Sequence, residues 1–405
     1  MVKRTERHIP SRRRFLGFVA AAGGAAAFGA RRSDAQVADI ESGSTSGGSN
    51  ACAANTGSSL PLVRAQSNRI IAVTVCTRPF RAQGPRIEAE RLGRKLVVHN
   101  YGHGGSGWSL SWGSSSIAVG YAMANRAREL AVIGCGALGL TSALLAQRAG
   151  FKVRIYAKDR PPEVRSSFAT GHWSPSSRFC TAEHATPDVT QRWEEMARMS
   201  FRTFQHMLGL PGDPIEWRDG YYLREQEPGA QQTLEQSEPS YAALDHRLRD
   251  LVPYSEELAP DTHPFPGFYV RRYNDLIFNL TSFLRMLVAD FLAAGGEIET
   301  REFASPSDLM KLREKTLINA TGYGARALFG DESIIPVRGQ LLRLIPQQEI
   351  TYSLSYGSLF VLPRRDGIVL QTREGDVFGS ADTTPDRAQA ERAVKMLAEL
   401  NRRIG

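Results

Sequence analysis

Apolar residues recur along this chain with two spacings, one typical of strands and one typical of helices. Residues 130–133 form a short apolar run that ends in glycine, residues 137–149 have a helix-forming composition, and residues 152–157 alternate as a strand. This order of strand, helix and strand predicts a βαβ unit.

Further stretches extend the same alternation of helices and strands. Helical spacing appears over residues 191–208, 275–294 and 389–403. Strand-like patterns cover residues 69–75, 213–223, 297–303, 317–320, 341–345, 359–362 and 367–372. The sequence therefore predicts an α/β protein.

The first 35 residues have the pattern of an export signal. A basic start leads into Ser-Arg-Arg-Arg-Phe-Leu at residues 11–16, then an apolar run at 17–30, with small residues at Ser33 and Ala35. We interpret residues 1–35 as a twin-arginine signal peptide, which implies the twin-arginine export machinery as a partner and a periplasmic or extracellular location. The alternatives are a short membrane anchor or a basic arm, but the run is shorter than the roughly 20 residues that span a bilayer. Residues 36–67, rich in Ser and Gly, are predicted to be a flexible linker.

Composition indicates an ordinary globular protein of 405 residues, with 42% hydrophobic and 23% charged residues. The formal net charge is +8, but residues 1–35 contain eight basic and two acidic residues and therefore carry six of those charges. The remainder is nearly neutral, which argues against a nucleic-acid partner. The four cysteines (Cys52, Cys76, Cys135 and Cys180) have no CxxC spacing, so we expect no metal site and prefer buried or free thiols.

The strongest local motif is a glycine loop between the first strand and helix of the βαβ unit. Residues 134–139, Gly-Cys-Gly-Ala-Leu-Gly, satisfy GxGxxG, and such glycines let a helix N-terminus approach a pyrophosphate. The expected cofactor contacts are Gly134, Gly136, Ala137, Leu138 and Gly139. Asp159, at the end of the second strand, is the candidate for the ribose hydroxyls; the alternative is that its neighbour Lys158 faces the phosphates.

Several longer segments resemble the D-amino-acid oxidase family. The stretch HNYGHGGSGWSLSWG at residues 99–113 resembles the end of such an enzyme, whereas the glycine loop downstream resembles its beginning. The chain thus looks like a circular permutation of that family, read from residue 129 to the end and then from residue 68 to 128. The other matching segments are CTRPFRAQGPR (76–86), RSSFATGHWSP (165–175), LINATG (317–322), PVRGQ (336–340) and YGSLFVLP (356–363).

The resemblance implies FAD as cofactor and an α/β fold: a Rossmann-like FAD-binding domain with a second substrate domain built on a mixed antiparallel sheet. The implied FAD-binding segments are 68–128, 129–190 and 275–338, and the implied substrate-domain segments are 191–274 and 339–405. It also implies further flavin contacts: Ser166, Ser167, Thr170, Gly171, Phe303, Gly104, Gly105, Ser106, Gly107, Trp108 and Ser109.

For the substrate, the resemblance implies that Arg78 grips a carboxylate and that Tyr356 helps to hold it. Phe360 stands where the family has a second tyrosine, and Ser106 is a further implied contact. Segment 350–356 is shorter than the lid of mammalian members, which implies a more open pocket.

The implied activity is oxidation of a D-amino acid by hydride transfer to flavin N5 and then to O2, giving a 2-oxo acid, ammonia and hydrogen peroxide, without a strong general base. The alternatives are a glycine or amine oxidase, or a flavin-binding protein without oxidase activity.

Overall fold

The computed structural model describes residues 60–227 and 238–405. The strands are β1 (Ile70–Phe80), β2 (Arg86–Leu92), β3 (Lys95–Tyr101), β4 (Glu129–Ile133), β5 (Lys152–Ala157), β6 (Ile215–Arg224), β7 (Glu256–Leu258), β8 (Tyr269–Phe278), β9 (Glu297–Thr300), β10 (Thr316–Asn319), β11 (Ile335–Leu344), β12 (Tyr352–Tyr356), β13 (Leu359–Arg364), β14 (Gly367–Thr372) and β15 (Val377–Phe378). The helices are α1 (Ser111–Met123), α2 (Ala137–Arg148), α3 (Pro187–Gln205), α4 (Leu280–Ala293), α5 (Pro306–Met310), α6 (Ala325–Phe329) and α7 (Arg387–Ile404).

A six-stranded sheet with the order β2-β3-β10-β4-β5-β9 carries the glycine loop. All of its pairs are parallel except β2 with β3. Asn319, the last residue of β10, pairs with His99 on one side and Ile133 on the other. The glycine-rich stretch after β3 and the glycine loop after β4 therefore leave the sheet at the same edge, where parallel α/β sheets bind ligands.

A nine-stranded sheet forms the second layer, with the order β1-β11-β14-β13-β12-β6-β8-β7 and β15 paired to β11. Helix α7 covers one face, where Leu397 and Val394 pack with Leu342, Leu354 and Leu370. The opposite face carries Leu341, Val369 and Leu362 with Phe360. Neighbouring residues along these strands thus point to opposite sides, as the twofold period of a strand requires.

The structure differs from the sequence-based expectations in three places. A helix is expected to begin at residue 275, but residues 275–278 form the end of strand β8, and α4 begins at Leu280. The reason is that the three residues 276–278 are all apolar and buried, so side chains on both faces of this strand are covered. Within the expected linker, Val63 is buried against α7. Segments 68–128 and 275–338 are expected to lie whole in the FAD-binding domain, yet β1 and the first residues of β11 lie in the nine-stranded sheet, paired antiparallel with each other.

The signal peptide expected over residues 1–35 lies outside the described residues, as do Cys52 and residues 36–59 of the linker. Within the two described ranges, no helix is long and apolar enough to cross a membrane.

Candidate functional site

A cavity of about 700 Å³ lies where the two glycine-rich segments leave the six-stranded sheet. Gly104 and Gly105 from the segment after β3, and Gly134 and Gly136 from the loop after β4, line it together. Segments 99–113 and 134–139, expected to meet, therefore share one wall, and the volume falls in the range of ligand pockets.

The glycines of the 134–139 loop are required by close backbone approach. Gly134 has φ +112°, and a Cβ there would lie 2.5 Å from the carbonyl oxygen of Ala320. A Cβ on Gly139 would lie 2.1 Å from the carbonyl oxygen of Gly134. The first turn of α2 is thereby held against the strand end, with Ala137 N donating to Ser166 Oγ at 3.0 Å. This is the geometry that presents a helix N-terminus to a phosphate.

The far end of the cavity has the groups expected for a ribose. Asp159 lines it, and so does Lys158, whose Nζ donates to Glu302 Oε1 at 3.1 Å. Lys158 is therefore paired with a carboxylate at this end of the cavity. Phe303 also lines it, with the Arg301 guanidinium 5.1 Å from its ring centre.

Hydrogen bonds join the segment after β3 to the 165–175 loop. The indole Nε1 of Trp108 donates to the carbonyl oxygen of Ser166 at 2.9 Å, and the backbone N of Ser174 donates to Ser109 Oγ at 2.8 Å. Two segments far apart in the sequence are thus fixed to each other across the cavity.

His103 is a buried, neutral imidazole beside the cavity. Its Nε2 lies 2.7 Å from Ser114 Oγ, and that hydroxyl donates to Asn100 Oδ1, so it accepts from the imidazole. Burial lowers the pKa of His103 to about 3, which keeps the ring neutral.

Arg78 lines the cavity on the side of the nine-stranded sheet. Its guanidinium lies over Gly339, where a Cβ would be 2.4 Å from Nη1. That Nη1 donates to Asp376 Oδ1 at 3.0 Å and to the carbonyl oxygen of Arg338 at 3.4 Å. Its Nη2 has no hydrogen-bond partner within residues 60–227 and 238–405, so this nitrogen is available to a carboxylate.

Asp376 connects Arg78 to a wider polar network. It also accepts from Arg178 Nη2 at 2.9 Å and from Gln371 Nε2 at 3.3 Å. The Oε1 of Gln371 in turn accepts from Thr170 Oγ1 at 2.7 Å. This bond ties the loop of residues 165–175, here called the flavin-side loop, to the sheet. Arg178 is also bound by Glu238; burial alone would raise the pKa of that carboxyl, but hydrogen bonds from Arg178 leave it lowered. Arg178 thus binds two carboxylates, Glu238 and Asp376, and Asp376 joins it to Arg78.

Tyr356 is placed away from the cavity, which corrects its expected role. Its hydroxyl donates to Glu225 Oε1 at 2.6 Å and accepts from Arg403 Nη1 at 2.7 Å. Its ring packs in the cluster beneath α7. The reason is strand alternation, because the residue beside it, Ser355, pairs with Phe360 on the cavity side. This placement does not support a substrate contact by Tyr356.

The cavity-side face of the sheet carries polar groups that the sequence motifs did not single out. The hydroxyl of Tyr273 lies 3.3 Å from Ser355 Oγ, and burial raises the pKa of this tyrosine to about 12. His172 lines the cavity, with its ring centre 5.2 Å from that of Phe360 and its Nδ1 3.9 Å from Asp275 Oδ1. The sequence does contain an indication of His172, because this residue lies within the segment 165–175 that resembles the family.

Most of the residues expected to contact cofactor or substrate line this one cavity. They are Arg78, Gly104, Gly105, Gly107, Trp108, Ser109, Gly134, Gly136, Ala137, Leu138, Asp159, Ser166, Thr170, Gly171 and Phe303. Gly139, Ser106, Ser167, Tyr356 and Phe360 are not on its wall. Ser106 is buried with its hydroxyl on the His103 carbonyl oxygen, and Gly139 acts through the backbone contact described above.

Among the described residues, no group of His, Cys, Asp and Glu side chains is arranged to hold a metal ion. Cys76, Cys135 and Cys180 are buried and unpaired.

Comparison with known proteins identifies the family. The family described as FAD dependent oxidoreductase, DAO, matches residues 129–404. A D-amino-acid oxidase of Rubrobacter xylanophilus is 28% identical over 281 residues, covering 67% of this chain and 77% of that protein. A D-amino-acid oxidase of Dictyostelium discoideum is 25% identical, covering 68% and 74%, and a human D-aspartate oxidase is 24% identical, covering 53% and 59%.

Among solved structures, a glycine oxidase of Geobacillus kaustophilus aligns with a TM-score of 0.48 and 16% identity, covering 67% of this chain and 78% of that one. The family match takes in the glycine loop, and members of this family use FAD. The chain belongs to the DAO family of FAD-dependent oxidoreductases, and its cofactor is FAD.

Proposed function

We propose that the protein is an oxidase of D-amino acids, which converts them to 2-oxo acids, ammonia and hydrogen peroxide. The observation that carries this is Arg78, whose Nη2 is unpartnered on the wall of the cavity that also holds the glycine loop. A guanidinium fork suits a carboxylate, and partial burial strengthens the pairing. The D-amino-acid oxidases named among the relatives support the same substrate class.

Bound FAD would supply the two-electron acceptor for oxidation of the substrate and the site of reoxidation by O2. The residues of this chain have the remaining tasks. The amides at the start of α2 and the glycines after β3 hold the cofactor, Asp159 faces the ribose, and Arg78 orients the substrate carboxylate.

The test is release of hydrogen peroxide by the purified holoprotein with a panel of neutral, acidic and basic D-amino acids. The matched control is the same panel of L-amino acids. Turnover of at least one D-amino acid, with loss of that turnover in Arg78→Ala, is expected. A holoprotein with FAD bound that oxidises no D-amino acid would refute the proposal.

A second candidate is a glycine or amine oxidase, favoured by Phe360, which lacks the hydroxyl that the family's tyrosine would offer. Glycine and sarcosine in the same assay distinguish it. A flavin-binding protein without oxidase activity is the third; anaerobic bleaching of the flavin by a D-amino acid, with recovery of its colour and peroxide release when O2 is admitted, would exclude it.

We also propose that the chain is a circular permutation of its family. The family match begins at residue 129, whereas β1, β2, β3 and α1 lie upstream and complete both sheets. The C-terminal end of α7 supports a former connection there: Asn401 Nδ2 donates to the carbonyl oxygen of Val63 at 2.7 Å, and Gly405 contacts Leu62. A rearranged chain, residues 129–405 joined to 60–128, is expected to fold and bind FAD. If it stays unfolded while the native order folds, the proposal fails.

We propose export by the twin-arginine route to the periplasm or beyond, on the basis of Arg12 and Arg13 and the apolar run that follows. Arg12→Lys combined with Arg13→Lys is expected to keep the protein in the cytoplasm of a host with that pathway. Unchanged export of this double variant, measured by fractionation, would contradict the proposal.

A further inference from the structure

His172 and Asp275 form a pair at the cavity wall that the implied chemistry does not use. His172 follows Gly171 in the flavin-side loop, and Asp275 lies on β8. The loop is anchored to that strand by two backbone bonds, Trp173 N to the oxygen of Leu276 and Phe278 N to the oxygen of Gly171, each 2.8 Å. The imidazole is therefore held in place by the sheet itself.

Asp275 is a buried carboxylate with few partners. Its Oδ2 accepts from Ser353 Oγ, and its Oδ1 lies 3.9 Å from His172 Nδ1. Burial raises the pKa of Asp275, opposed by the charge of His172 and by the Ser353 hydrogen bond. A buried carboxylate beside an imidazole stabilises the protonated form of that imidazole.

The other end of the imidazole is open to the cavity. The His172 side chain is 31% exposed, and its ring makes no hydrogen bond to another described residue. Its Nε2 is thus able to meet a ligand in the cavity while Nδ1 faces Asp275.

Arg78 and His172 line the same cavity. The Arg78 guanidinium lies over Gly339 of β11, and the His172 ring lies against Phe360 of β13, with only β14 between these strands. A substrate whose carboxylate meets Arg78 therefore occupies the cavity that His172 also lines.

We propose that His172 accepts a proton from the substrate ammonium, with Asp275 as the positioning residue that stabilises the resulting imidazolium. This inference rests on the proposed function, since it names the step that makes the amine reactive. One N–H bond of the ammonium breaks and one N–H bond forms at His172; no electrons are exchanged. The proton then leaves to solvent, because the ring is partly exposed.

The charged groups that the packed strands bring to this loop are Asp275 from β8 and Arg364 from β13. Arg364 donates to the carbonyl oxygens of Ala169 and Thr170 and is paired with Asp366. Its charge is thus balanced locally, which leaves Asp275, with its Oδ1 3.9 Å from His172 Nδ1, as the carboxylate beside the ring.

The first experiment measures kcat/KM against pH for the holoenzyme and for His172→Gln. We expect the wild type to lose activity below an ionisation that the variant lacks. At neutral pH the variant should be about 100-fold slower, the scale of general base catalysis. It should recover at high pH, where the ammonium loses its proton unaided. An equal loss at every pH would indicate a merely structural role and overturn the proposal.

The second experiment measures the same pH profile for Asp275→Asn. It should move the acidic limb of the pH profile to lower pH, because the imidazolium loses its partner carboxylate. An unmoved limb contradicts the role of Asp275. Asp219→Asn, at an exposed position on the neighbouring strand β6, is the matched control and should leave the profile unchanged.

A spectroscopic experiment tests the proposed role of His172 independently of the oxidase activity. In holoprotein labelled at histidine, the His172 resonance should titrate and should shift when D-alanine is added, even if no turnover occurs. A resonance that does not respond to D-alanine overturns the inference. Peroxide release together with an unresponsive His172 resonance would support the proposed oxidase activity and refute the role of His172 as a base.

Discussion

The Nη1 of Arg78 lies 3.0 Å from Asp376 Oδ1, with both side chains mostly buried, at 13% and 10% exposed. Only one arm of the guanidinium is engaged by this carboxylate. The fold therefore fixes the orientation of Arg78 through Asp376 and leaves the other arm for a ligand.

Replacing Arg78 by Ala is expected to raise KM and to lower kcat/KM by about 10- to 100-fold, since a hydrogen bond to a charged group contributes about 1.5–3 kcal/mol. Arg78→Lys should recover part of the loss, because an ammonium keeps the charge without the fork. Steady-state kinetics provide the measurement. Arg94→Ala, in the exposed turn between β2 and β3, is the control and should match the wild type.

Replacing Asp376 by Asn is expected to act in opposite directions on binding and on stability. Removing the negative charge between Arg78 and Arg178 should lower KM for a carboxylate substrate by a few-fold. The same change should reduce the free energy of unfolding by about 1–3 kcal/mol, because two buried guanidinium groups lose their partner. Urea unfolding and kinetics on one preparation check both; a rise in KM would contradict the assignment of Arg78.

The two aromatic positions of β12 and β13 provide a matched pair. Phe360→Tyr adds a hydroxyl on the cavity side and is expected to lower KM by about 2- to 10-fold, the worth of one hydrogen bond. Tyr356→Phe removes a hydroxyl beneath α7 and should leave kcat/KM unchanged. If Tyr356→Phe instead raised KM strongly, the placement of that side chain on the α7 side would be wrong.

Gly139→Ala is expected to cost about 1–3 kcal/mol of stability and to weaken FAD retention, because its Cβ would meet the carbonyl oxygen of Gly134 at 2.1 Å. Thermal unfolding of the apoprotein and gel filtration of the holoprotein provide the measurements. Gly324→Ala is the control for stability alone, since its nearest protein atom would be an ordinary 3.6 Å away but the residue itself lines the cavity. Equal stability of the two variants would count against a tightly closed glycine loop.

Asp275 should make stability depend on pH. Its folded-state pKa is raised, so the folded protein binds the proton more tightly than the unfolded chain does. The corresponding stability is complete below the unfolded pKa of aspartate and is lost as pH rises through the folded-state value. Asp275→Asn should therefore be more stable than the wild type at pH 8, with a difference that shrinks towards pH 4. Denaturant midpoints across this range check the sign.

The sequence predicted the cofactor half of this molecule better than the substrate half. Strand β5 and the glycine loop were recognisable because each has a sequence pattern contained within a few consecutive residues, a two-residue alternation and GxGxxG. Tyr356 was misplaced because a resemblance in sequence does not reveal which face of a strand a residue takes. Asp376 and Gln371 were missed because they act through partners such as Arg78 and Thr170, far away in the sequence.

Side chains alternate along β12 and β13, so one face of this sheet packs against α7 and the other lies on the cavity side. Tyr352, Leu354 and Tyr356 face the helix that covers the sheet, whereas Ser355 and Phe360 face the cavity side. Substitutions at Ser355 and Phe360 leave the packing beneath α7 intact, and Phe360 reaches the cavity through His172, whose ring centre lies 5.2 Å from its own. The cavity-side face of the sheet can thus be altered without rebuilding the other face.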